Sequence, residues 1–124
     1  MQKDDKDFLT VTFENHEIVI GMSARANDQL SLREASPSDV WLHAAGVPGS
    51  HVIVRQTDAD MPQPVVRRAA ELAAYHSKAR NAGGKVEVHG CRAADVSKPR
   101  GAPAGTVRLR RFDSVKVYPR GVED

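Results

Sequence analysis

The sequence predicts an α+β domain, a mostly antiparallel sheet packed against one long helix over about residues 64–81, with a short helix near 28–35. Two observations carry that expectation. Short segments with period-two hydrophobic alternation lie on both sides of one strongly helical run, VVRRAAELAAYHSKAR. The order of strands, short helix, strands, long helix, strands also lacks the regular strand–helix alternation of a doubly wound parallel sheet.

Residues 1–7 (MQKDDKD) read as a flexible polar tail, and residues 8–120 as a single domain. In FLTVTFENHEIVI, Leu9, Val11 and Phe13 alternate with polar neighbours, a polar turn falls at Glu14–His16, and Ile18 and Ile20 resume the pattern as the second arm of a hairpin. Asn27 is the expected N-cap of a short helix over roughly Asp28–Ala35, although the spacing of Leu30 and Leu32 also suits a strand. Ser36-Pro37-Ser38-Asp39 is turn chemistry, and Val40–Ala44 and His51–Arg55 follow as strands. After the polar loop at 56–64, Pro64 sits where a first helical turn tolerates proline, and Gly83-Gly84 stops the run. Val65, Ala69, Leu72, His76 and Ala79 form one stripe expected to face the sheet, with Arg68, Glu71, Tyr75 and Lys78 on another face. Strands are then expected at Lys85–His89, Asp95–Ser97, Thr106–Leu109 and Ser114–Tyr118, interrupted by the turn-rich SKPRGAPAG.

The net charge of +2 conceals an asymmetry: residues 65–120 hold thirteen Lys/Arg against four Asp/Glu, a net +9. A long basic half is the footprint of a polyanion partner, since each cation that meets a phosphate releases condensed counterions. A solvated basic face with no partner has the same composition. The single cysteine, the charged N-terminus and the lack of a long apolar run lead to the expectation of a cytoplasmic protein with no membrane association.

Several chemistries fit poorly. The histidines at 16, 43, 51, 76 and 89 and Cys91 show no spacing that closes a zinc site, so no metal is expected. Ser50-His51 resembles a nucleophile beside its base, but adjacent residues on an extended segment point to opposite faces. Neither a Gly-Lys-Ser/Thr loop nor GxGxxG occurs, so no cofactor is expected. Features suited to phosphate remain. Gly46, Pro48 and Gly49 can bring backbone N–H groups to an anion, and Arg55 can add charge; the same glycines can equally serve only to turn the chain. Lys98-Pro99-Arg100-Gly101 reads as a phosphate clamp or as a solvated loop. Lys78 and Arg80 suit a ligand or the helix dipole, Tyr75 a stacked base or the core, and Trp41 between Val40 and Leu42 suits the core.

Three separated segments together resemble one family. NDQLSLREASPSDVWLHAAGVPGSHVIVR is similar to the NFACT-R signature, an Asn-Asp pair followed by D-x-W-L-H and P-G-S-H-V-I. AAELAAYHSKAR and VSKPRGAPAGTV match that domain's later helix and basic turn in the right order, and the resemblance spans about residues 18–119. It implies an RNA-binding module related to the C-terminal domain of ribosome quality-control and fibronectin-binding proteins. Small members of this kind have also been linked to tRNA modification. The sequence reads as a standalone member, lacking that family's N-terminal domain, helix-hairpin-helix and coiled coil. Position 76, often aromatic in the family, is histidine here.

The resulting expectation is a non-catalytic domain that binds structured RNA, tRNA or ribosomal RNA, with the ribosome or a tRNA-modifying enzyme as possible partners. His43, Ser50, His51 and Tyr75 are the expected hydrogen-bonding or stacking groups, and Arg55, Lys78, Arg80, Lys98 and Arg100 the expected phosphate contacts. Two rivals stand beside it: a protein-interaction module that docks on the ribosome or a partner enzyme, and a nucleic-acid enzyme using His43 or His51 as acid or base.

Overall fold

The structure, a computed structural model, describes residues 3–4, 7–56 and 61–122. Seven strands form one antiparallel sheet: β1 (Lys3–Asp4), β2 (Phe8–Phe13), β3 (His16–Gly21), β4 (Val40–Ala44), β5 (Val52–Val54), β6 (Val86–Arg92) and β9 (Asp113–Val117). Their spatial order is β1-β2-β3-β5-β4-β6-β9. A separate two-stranded ribbon, β7 (Val96–Ser97) and β8 (Arg108–Leu109), brackets the basic turn. The α+β class with a mostly antiparallel sheet is as expected. Most of the 1–7 segment and residues 57–60 of the polar loop lie outside the described residues; Lys3 and Asp4 pair with Thr10 and Leu9.

Alternation sorts the strands onto two faces. Ile18 and Ile20, Val40 and Leu42, and Val52 and Val54 point toward helix α2 (Gln63–Tyr75), where Val65, Ala69, Leu72 and Ala73 complete the larger core. Burying an aliphatic side chain of this size contributes roughly 1.5–3 kcal/mol. Val19, Trp41 and Ile53 point the other way and pack with Leu30, under a cover that includes Ala35, Val96, Val107 and Leu109. Both faces of β5 are therefore covered, which explains its uninterrupted Val-Ile-Val.

The β2–β3 turn is tighter than expected. Glu14 and Asn15 alone form it, both with positive φ (48° and 67°), and His16 already pairs with Phe13.

The short helix begins earlier than its sequence suggests. Helix α1 (Ala24–Gln29) is capped by Ser23, whose Oγ accepts from the Ala26 N–H at 3.0 Å, and a single π-type turn over Leu30–Glu34 continues it. Asn27 is thus no N-cap. It lies inside the helix with its side chain buried and turned toward the β4–β5 loop.

The long helix is also shorter than the expected 64–81. α2 has 13 residues and stops at Tyr75, and His76 leaves helical geometry at φ −91° and ψ 40°. Strong helix formers follow, but their backbone is bonded elsewhere. The Ser50 N–H donates to the His76 carbonyl, the Lys78 N–H donates to the Pro48 carbonyl, both at 2.9 Å, and Gly49 bridges to Ser77. Tertiary pairing outweighs propensities worth a few tenths of a kcal/mol per residue.

Candidate nucleic-acid interface

Pairing of the β4–β5 loop with the chain after α2 creates the most promising site. A cleft of about 750 Å3 opens between that loop, residues 75–80 and the Ala104–Thr106 segment of the basic turn. His43, Ser50, Tyr75, Lys78 and Arg80 line it, together with His76, Ser77 and Thr106. No carboxylate does so among the described residues.

The loop's shape is imposed from below. Asn27 Oδ1 accepts from the His51 N–H at 3.0 Å, while its Nδ2 donates to the Gly49 carbonyl at 3.3 Å. Gly49 has to be glycine, since a Cβ there would fall 2.8 Å from Ser77 Cβ and 3.0 Å from Ser77 Cα. Gly46 takes a φ of +70°, a conformation that side-chain-bearing residues rarely adopt.

The two histidines that bracket the loop have different surroundings. His51 is 1% exposed. Its Nδ1 lies 2.7 Å from Ser31 Oγ, which also accepts from Trp41 Nε1 at 2.8 Å. Indole can only donate, so the hydroxyl proton is free for His51 Nδ1, and the ring's own proton is assigned to Nε2, facing the Gly105 carbonyl. Burial, reinforced by the neighbouring His43, pushes the His51 pKa down to about 4, which keeps the ring neutral. His43 is half-buried and stacks on Trp41 with centroids 5.9 Å apart. Burial also lowers its pKa, against a hydrogen bond to the Gly49 carbonyl. His43 reaches the cleft; His51 lies beneath it.

On the opposite wall, the Arg80 guanidinium sits 4.4 Å from the centre of the Tyr75 ring. Gly121 packs so closely that a Cβ there would fall 2.7 Å from the ring. Tyr75 is therefore a half-buried strut for Arg80, with part of its surface already in use. The Lys78 side chain is exposed and has no ion pair among the described residues. His76 Nε2 is buried without a hydrogen-bond partner among the described residues, and burial, with Arg80 nearby, lowers that ring's pKa.

The remaining expected phosphate contacts lie elsewhere. Arg55 is at the opposite end of β5, 3.5 Å from Asp39 and 3.7 Å from Glu17, and donates to the Glu34 carbonyl. It is held by carboxylates outside the cleft. Lys98 pairs with Asp28 at 2.9 Å and donates to the Pro103 and Thr106 carbonyls, fastening the basic turn to α1. Arg100 is exposed on that turn but does not line the cleft. Among the described residues no group of three or more His, Cys, Asp or Glu is placed to hold a metal ion, and burial pushes the Cys91 thiol up to about 11.

Asn27 and Ser31 were not singled out by the sequence as parts of this site, whereas Ser77 belongs to the helix motif and position 76 adjoins Tyr75 in it, though neither was given a contact. The first two offered one faint signal, polar residues in a short helix that must bury one face.

A small α+β module whose cleft is lined by two cations and, among the described residues, by no carboxylate has the charge pattern of a polyanion-binding domain. The chain belongs to the NFACT protein RNA binding domain family, whose pattern matches residues 6–111. It is 37% identical over 102 residues to the Rqc2 homolog RqcH of Bacillus subtilis (strain 168), covering 82% of this chain and 17% of that protein. The Rqc2 homolog RqcH of Streptococcus suis (strain 05ZYH33) is also 37% identical, over 82% of this chain and 18% of its own length. The chain thus spans less than a fifth of these relatives. The solved C-terminal part of the fibronectin/fibrinogen-binding protein from Streptococcus suis superposes with a TM-score of 0.85 at 34% identity, over 95% of this chain and 47% of that one. No helix of the described residues is long and apolar enough to cross a membrane.

Proposed function

We propose that this chain binds structured RNA, a tRNA or a ribosomal RNA, in the cleft between the β4–β5 loop and the end of α2. Lys78 and Arg80 contact phosphates, His43 and Ser50 supply hydrogen bonds, and His51, Asn27 and Ser31 hold the loop in place. The observation that carries this reading is the pairing of two cations with a cleft wall free of carboxylates, in a chain of an RNA-binding family. Phosphate contacts fix register and orientation without reading sequence, so recognition rests on RNA shape. The similarity to RqcH supports a place beside the ribosome, and a tRNA-modifying enzyme is a second partner compatible with the same RNA.

Crosslinking the protein to RNA in cells and sequencing the bound fragments tests this directly. Enrichment of tRNA or ribosomal RNA segments with defined secondary structure is the expected result. Fragments scattered over messenger RNA in proportion to abundance would refute it.

A further inference from the structure

Beside the cleft, on the sheet face away from α2, an aromatic pair stands at the sheet's edge. Phe112 is 49% exposed and stacks on His89, with ring centroids 4.1 Å apart and planes 28° from parallel. His89 is opposite His43 in the β4–β6 register, so the pair adjoins the cleft wall. Ser114 is opposite His89 in the β6–β9 register, and β9 is the last strand of the sheet.

The polar groups here are already arranged around the rings. Glu87 accepts from Ser114 Oγ at 2.9 Å and lies 3.4 Å from His89 Nε2, so the only carboxylate facing His89 from β6 is occupied. Residues 108–116 carry Arg108, Arg110, Arg111 and Lys116 against Asp113 alone. Arg110 approaches Asp95 at 3.9 Å, whereas Arg111 and Lys116 are exposed and make no ion pair among the described residues. A half-exposed ring backed by a second ring, with Arg111 next to it in sequence and Lys116 opposite Glu87 on the neighbouring strand, offers partners for what a nucleotide presents, a π-face attached to a phosphate.

We propose that Phe112, backed by His89, is a stacking platform for an unpaired base of the RNA held in the neighbouring cleft, with Arg111 and Lys116 contacting the adjoining phosphates. The inference rests on the RNA-binding reading and narrows its ligand to RNA in which a paired region adjoins a single-stranded nucleotide. Stacking needs only a π-face, so the platform accepts any of the four bases.

The test compares two probes of equal phosphate number, a hairpin with one 2-aminopurine in its loop and a blunt duplex, bound by wild type, Phe112→Ala, Phe112→Leu and Phe112→Trp. Because Phe112 is half exposed, these variants should fold, which circular dichroism checks. Phe112→Ala and Phe112→Leu are expected to weaken hairpin binding by roughly fivefold or more. Duplex affinity and the salt slope should stay unchanged, and Phe112→Trp should retain hairpin binding. The 2-aminopurine fluorescence is expected to fall on binding wild type and not on binding Phe112→Ala. Equal losses on both probes, no loss on either, or loss of self-association with RNA binding intact would overturn the platform. Normal salt-dependent RNA binding with an inert Phe112 would sink this inference alone; no RNA binding by wild type would sink the RNA reading and the platform with it.

Discussion

Gly49 and Ser77 face each other across an isolated antiparallel bridge, so close that Gly49 has no room for a Cβ. This contact joins the β4–β5 loop to the chain leaving α2 and creates the cleft. It also ends the helix early, since the carbonyl of His76 and the N–H of Lys78 are bonded to the loop.

Gly49→Ala should therefore destabilise the fold by about 1–3 kcal/mol, because a backbone atom of Ser77 stands in the way and no rotamer change relieves the clash. Urea unfolding measures it, and RNA affinity should fall in parallel. A variant as stable as wild type would mean that the bridge is not what shapes the cleft.

Asn27 braces the loop through both ends of its amide. Asn27→Ala leaves the buried His51 N–H without an acceptor, a loss of about 1–3 kcal/mol. Asn27→Asp keeps the acceptor but loses the donor to Gly49, and should destabilise as well. A calorimetric scan in which Asn27→Ala melts with wild type would contradict the assigned role.

His51 makes stability depend on pH. Its folded pKa of about 4 lies below the ordinary value of 6.5, so between those values the unfolded chain takes up a proton that the folded chain refuses. The contribution is fully present above pH 6.5 and is lost as pH falls toward 4, with an upper limit of about 3 kcal/mol. His43 and His76, also lowered, act in the same direction. Denaturant unfolding at pH 7 and pH 5 should show a smaller difference for His51→Gln than for wild type; an identical difference would show that His51 is not a neutral, buried base.

How much of this was legible depends on whether the cause was local. The β2–β3 hairpin and the Val-Ile-Val strand were, because alternation and continuous apolarity are written into adjacent residues. The end of α2 was not. Lys78 to Arg80 favour helix on their own, and a partner more than twenty residues away in the chain turns them out of it, helped locally by Ser77 Oγ, which accepts from the Ala79 N–H. His51 could not be told from His43 for the same reason, since its hydroxyl partner, Ser31, reaches it from another element. Charge pattern marked Lys78, Arg80 and Lys98 alike, although Asp28 neutralises only Lys98.

That difference is testable. Lys98→Met removes the link to Asp28 and should cost about 1 kcal/mol or less, given how much solvent both groups retain. The salt dependence of RNA binding should be unchanged. A reduced salt slope would show instead that Lys98 leaves Asp28 to bind phosphate.

The most direct test of the cleft is the salt dependence of affinity for a structured RNA in Lys78→Ala, Arg80→Ala and the double variant. If both residues meet phosphate, the slope of log K against log salt should fall in magnitude by roughly 0.7–0.9 for each cation removed, and by about twice that in the double variant. A double variant with the wild-type slope and affinity would contradict the account.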